Sequence, residues 1–155
     1  MYTPEMTFRI EYLSPVFNLI SDSMLDYPVK ILIAFGETFS GNDEILGWLL
    51  KNGYPELAAL SSAIRGSEQA FGWLMTHGYP QLAALDSAID DDKKAYAWLN
   101  HHKHYFLAVL SDAVHNQPGA IDWLTRNDLK VFLMIAAKIR HFRDNQIFDH
   151  HKMHF

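Results

Sequence analysis

Three histidines, His101, His102 and His104, form the densest group of ionisable side chains in the chain. His101 and His104 stand three residues apart, a spacing that places two imidazoles on one helix face, and imidazole suits zinc, copper or nickel. They replace a junction between two helices, however, and no carboxylate or cysteine beside them completes a ligand set. A polar turn is the expected reading, and no metal is assigned. A second stretch, His150-His151-Lys152-Met153-His154, reads as a solvated tail that could bind metals only adventitiously. Asp90-Asp91-Asp92 suggests a cation site, but helix capping accounts for it, because Ser67 and Asn42 hold equivalent places before other helices.

Other chemistry is sought and not found. There is no Gly-x-Gly-x-x-Gly, no phosphate-binding Gly-x-x-x-x-Gly-Lys, no His-Glu-x-x-His and no Gly-x-Ser-x-Gly. The chain is expected to be no enzyme and to carry no cofactor. The absence of cysteine removes disulfides and thiolate metal sites. Net charge is −5 with histidine neutral, which does not favour general nucleic-acid binding. The charge is uneven: residues 1–44 carry seven acids against two bases, and residues 120–155 carry four acids against six bases. The longest apolar run, Val131 to Ala137, is far short of the ~20 residues that span a bilayer. With no basic-then-apolar leader at the N-terminus, a cytoplasmic protein without membrane association is expected.

The elements that must position any site are set by a repeat. Trp48, Trp73, Trp98 and Trp123 are all the tryptophans in the chain, each 25 residues after the last and each followed by leucine. Units 45–69 and 70–94 agree at 13 of 25 positions, sharing Gly-Trp-Leu, Gly-Tyr-Pro, Leu-Ala-Ala-Leu and Ser-Ala-Ile. Units 95–119 and 120–144 keep the Trp-Leu pair and the apolar pattern behind it.

Each unit reads as two short helices. In the second, Ser67 caps a first helix whose Ala70, Trp73, Leu74 and His77 share one face. Gly78 stops that helix in a left-handed conformation, and Pro80 starts the next in its first turn. Leu82, Leu85 and Ile89 make the second helix's buried stripe. Helices this short gain their stability from stacking rather than from themselves. The invariant tryptophans are expected in the core, with Gly47, Gly72 and Ala97 allowing close approach. Residues 1–44 read as a degenerate cap, with a short helix or an extended arm over 4–13, a short helix over 15–25 and a second-type helix over 28–40. Residues 129–143 form the last helix, followed by a loose His-rich tail over 145–155.

This pattern resembles the α-solenoid superfamily of helical-repeat proteins over residues 15–143. It is not the longer ankyrin, tetratricopeptide or HEAT unit. The resemblance implies an all-α, right-handed solenoid of about five short helix pairs, a single domain, and a surface for macromolecular recognition. No family's site residues carry over.

On a fixed scaffold the positions that vary are where partners are acquired. Position 12 of the unit reads Glu56, Gln81, Phe106, Val131; position 17 reads Ser61, Asp86, Ser111, Ala136; position 21 reads Arg65, Asp90, His115, Arg140. All lie on the second helix away from its leucine stripe. The expected function is an interaction module for a protein or peptide, with Tyr105 and Phe106 as apolar anchors and Glu56, Gln81, Asp86 and His115 as polar contacts. The alternatives are a nucleic-acid-backbone binder using Lys130, Lys138, Arg140, His141 and Arg143, or a structural protein that associates with itself.

Overall fold

A computed structural model describes residues 23–152, with side chains from Met24 to Gln146. The helix or arm expected over 4–13, most of the helix expected over 15–25, and the end of the His-rich tail lie outside the described residues. Among the described residues all regular structure is helical. A 3₁₀ turn at Ser23–Asp26 leads into α1 (Val29–Glu37), a second 3₁₀ turn (Thr38–Ser40), α2 (Asp43–Lys51), α3 (Pro55–Ile64), α4 (Glu68–Thr76) and α5 (Pro80–Ile89). Then follow α6 (Lys93–His101), α7 (Tyr105–Val114), α8 (Pro118–Arg126) and α9 (Lys130–Lys152). None is long and apolar enough to cross a membrane.

The starts are set by caps and prolines. Asn42 Oδ1 accepts from the Glu44 amide at 3.1 Å, Ser67 Oγ from Ala70 at 3.1 Å, and Asp92 Oδ1 from Lys94 at 2.9 Å. These bonds satisfy amides that the first helical turn leaves without partners. Pro55, Pro80 and Pro118 occupy first-turn positions, where a missing N–H costs nothing. The stops are set by one left-handed residue per junction. Gly53, Gly78, Lys103 and Asp128 end the first helices, at φ 86°, 87°, 65° and 55°. Gly41, Gly66, Asp91 and Asn116 end the second ones. A non-glycine residue thus takes the left-handed conformation at Lys103 and also at Asp91, Asn116 and Asp128. Asn and Asp tolerate this conformation better than lysine does, so Lys103 remains the least suited residue type.

The helices form two layers. Each odd-numbered helix packs on the next odd-numbered one, α1 on α3, α3 on α5, α5 on α7 and α7 on α9; α9 then returns to pack on α1. The five inner helices thus close on themselves. Each even-numbered helix lies outside, seated on the two inner helices that flank it in sequence. An outer helix touches the core along one narrow line, so its single fully buried large residue in the first three units is Leu49, Leu74 or Leu99. The preceding Trp48, Trp73 and Trp98 are only half-buried against that core, and Trp123 alone is 3% exposed. The expectation that the tryptophans make the core is corrected: the leucine beside them does, because it sits on the line of contact.

The closing contact comes from α9. Lys138 Nζ lies 3.1 Å from Glu37 Oε1 and 3.0 Å from Ser40 Oγ, and the rings of Phe142 and Phe39 are 6.2 Å apart. Gly36 lies so close that a Cβ there would fall 2.8 Å from Met134 Sδ. Gly47 and Gly72, expected to permit close stacking, have nothing within 4 Å of such a Cβ. The helix continues to Lys152 through residues expected to be a loose tail.

Candidate ligand-binding cleft

Two sets of repeated side chains finish the helices, one at each end; the first acts within a unit and the second between units. At the end where first helices stop, the fourth residue after each tryptophan bonds back to that tryptophan's carbonyl. Asn52, His77, His102 and Asn127 do so at 2.7, 2.8, 2.9 and 2.8 Å. His77 and His102 also stack on their tryptophan rings, with centroids 4.2 and 4.1 Å apart. His104 faces the Trp98 ring at 5.7 Å. The His101–His104 stretch is thus partly a helix cap and an aromatic stack. Among the described residues, no group of three or more His, Asp or Glu side chains is placed to hold a metal.

At the opposite end, position 21 joins each of the last two units to the one before. His115 Nε2 lies 3.0 Å from the Ile89 carbonyl oxygen, 26 residues back. Arg140 donates to the Val114 carbonyl at 3.0 Å, also 26 residues back, and to Ala113 at 2.6 Å. The last carbonyls of a helix lack intrahelical partners and carry its negative dipole end, so a donor there, best a cation, is stabilising. Arg143, one turn further along α9, also donates to the Ile89 carbonyl, and its Nη2 lies 3.5 Å from Asp91. Asp91 lies 3.0 Å from His115 as well.

Arg65 of unit 45–69 pairs instead with Asp43 at 3.7 Å, its Nε buried without a hydrogen-bond partner, and unit 70–94 departs further. Its position 21 is Asp90, which ionised can only accept, so it cannot serve the carbonyls of Ala63 and Ile64 as His115 and Arg140 serve theirs. Where the donor is missing, a cleft of about 740 Å³ opens. Its walls are Ala63, Ile64 and Gly66 at the end of α3, Asp86 and Asp90 on and after α5, Phe71 of α4, and the Arg143–Gln146 turn of α9. Glu68 and Asp92 stand at its rim. The C-terminal ends of α3 and α5 meet the N-terminal ends of α4 and α6 here, so the net negative charge of the cleft comes from four carboxylates set against the single guanidinium of Arg143. Asp86 is half-buried, and burial, reinforced by Asp90, pushes its pKa up to about 6 against the opposing pull of Arg143. Asp112 is likewise pushed up to about 6 by burial, while the Tyr96 hydroxyl, 2.8 Å away, and His115 act the other way.

The residues expected to bind a partner separate on this geometry. Phe106 is completely buried, packed edge-on against Phe132 at 4.7 Å, and is no surface anchor. Glu56 is also buried, accepting from the Tyr27 hydroxyl at 3.1 Å; burial, reinforced by the Glu56 charge, raises the pKa of Tyr27 and of Tyr79. Gln81 and Tyr105 are half-buried, and His115 is committed to Ile89 and Asp91. Asp86 alone of the six lines the cleft. The second helices are the inner layer, so most of their variable positions face neighbouring helices, whereas Asp90 is exposed. Of the cations considered for nucleic acid, Lys138, Arg140 and Arg143 hold acceptors within the chain. Sequence reasoning missed Asp90 as the odd member of position 21, although the signal was present: an acid where the other units carry Arg, His and Arg.

Comparison with known proteins returns no matching family model, curated relative or solved structure. The function therefore rests on this chain's own geometry.

Proposed function

We propose that the chain is a non-enzymatic recognition module of the α-solenoid kind, with its inner helices curled into a ring, that binds a protein or peptide at the cleft between α3, α5 and α9. The observation that carries this reading is the 740 Å³ cleft itself, opened at the one unit whose position 21 is an acid. A cleft of this size with a few converging polar groups, on a rigid helical frame, is the usual form of a binding site. Asp86 and Asp90 give it polarity, and Ile64 and Phe71 give it apolar walls.

The test is selection of a random dodecapeptide display library on the full chain, followed by amide chemical-shift mapping of the selected peptides. Shifts concentrated at residues 63–71, 86–92 and 143–146 are expected. Peptides that perturb only the outer helices, or a selection that enriches nothing, would remove the cleft from consideration.

A further inference from the structure

We infer that the cleft is a seat for one cationic side chain, an arginine or lysine presented by the partner, which takes the place that Asp90 leaves vacant. This rests on the reading of the cleft as the binding site and names the chemistry it selects.

The argument is internal to the repeat. In the two following units a position-21 side chain runs back to the end of the preceding inner helix, His115 to Ile89 and Arg140 to Val114 and Ala113. The same register places Asp90 opposite the carbonyls of Ala63 and Ile64, and both residues line the cleft. A carboxylate there brings a second negative charge to a helix end that is already negative, a pairing that costs stability unless a cation joins it. Asp86, one turn earlier, adds a third acceptor on the same wall. An incoming guanidinium would meet helix carbonyls on one side and two carboxylates on the other, which suits its planar fork of donors.

A second observation points the same way. Arg143 of α9 already lies at the cleft's edge with its guanidinium on the Ile89 carbonyl and beside Asp91. It shows that this end of the ring accepts a guanidinium in the manner proposed. Its reach is spent on α5, and the α3 side is left to a ligand. The cleft is also open, so a side chain can enter from solvent while its peptide lies across Glu68 and Asp92 at the rim.

The experiment titrates the full chain with a fluorescent decapeptide of alternating arginine and serine, and with its glutamate–serine counterpart, at moderate salt. Wild type is compared with Asp86→Asn and Asp90→Arg. The arginine peptide is expected to bind and the glutamate peptide not to. Asp86→Asn should weaken binding by about tenfold or more, since it removes a charge from a partly desolvated pair. Asp90→Arg supplies the missing donor from within. It should abolish binding while raising the melting temperature, and this second readout shows that the variant folds. If display-selected peptides bind the cleft but arginine content and Asp90→Arg make no difference, the cation seat is wrong and the binding module stands. If no peptide of any kind binds, the module itself fails. Asp90→Arg that melts lower than wild type would overturn the vacant-seat argument directly.

Discussion

Lys138, on the last helix, reaches Glu37 on the first at 3.1 Å and Ser40 at 3.0 Å, so residues 98 apart in the chain close the inner layer on itself. The ion pair is partly exposed and worth little alone. Its significance is positional, since it lies beside the closest approach in the closure, where Gly36 meets Met134.

That approach can be tested by filling it. Gly36→Leu should destabilise the protein by about 1–3 kcal/mol in urea, the usual cost of overpacking, despite leucine's better helix propensity. Met134→Ala in the same chain should recover part of the loss, giving a coupling that a double-mutant cycle reads. A Gly36→Leu variant as stable as wild type would mean that α1 and α9 do not touch in solution.

The left-handed junctions give a graded series. Lys103→Gly should stabilise by about 1 kcal/mol, because lysine pays a steric cost at φ 65° that glycine does not. Asn116→Gly and Asp128→Gly should gain less, only a few tenths of a kcal/mol, because Asn and Asp accept this region more readily. Thermal melts of the three variants decide it; a lower melting point for Lys103→Gly would show that its backbone is held by something other than the turn.

Tryptophan truncation should not be uniform. Trp123, 3% exposed, should cost about 3–5 kcal/mol on replacement by alanine. Trp73 is half-buried and stacked on His77 and Tyr79, so Trp73→Ala should cost clearly less. Leu74→Ala, at a completely buried site, should cost about 2–5 kcal/mol. Equal losses at Trp73 and Trp123 would contradict the two-layer packing.

Stability should depend on pH through Asp86 and Asp112. Both hold their protons to about pH 6 in the folded chain, against an ordinary 3.8 when unfolded. Between those values the folded state binds more protons, so their stabilising contribution is complete below about 3.8 and is lost as pH rises through 6. Melting temperature should therefore rise as pH falls from 7 to 5. Asp86→Asn should flatten part of that slope and stabilise at pH 7 by on the order of 1 kcal/mol, discounted for partial solvent exposure. A slope of opposite sign, or one untouched by Asp86→Asn, would place the protonating groups elsewhere.

Much of this molecule was legible before any coordinates. The 25-residue period, Ser67, Asn42 and Asp92 as caps, Pro80 as a helix start, and the left-handed stop at Gly78 all follow from short-range chemistry within a turn or two of backbone. Such features are local, and sequence carries local information directly. Which helix layer is inner was not legible, because both helices of a unit show an apolar face, and nothing near Glu56 in sequence points to its burial beneath the Tyr27 hydroxyl, 29 residues away. Nor was the return of α9 to α1. That contact joins helices some hundred residues apart in the chain, and it depends on how side chains interlock rather than on their spacing in sequence. The cleft depends on both: Asp90 is visible in the sequence as one acid among three, but it marks a site only because the tertiary packing sets position 21 against the carbonyl end of the preceding helix.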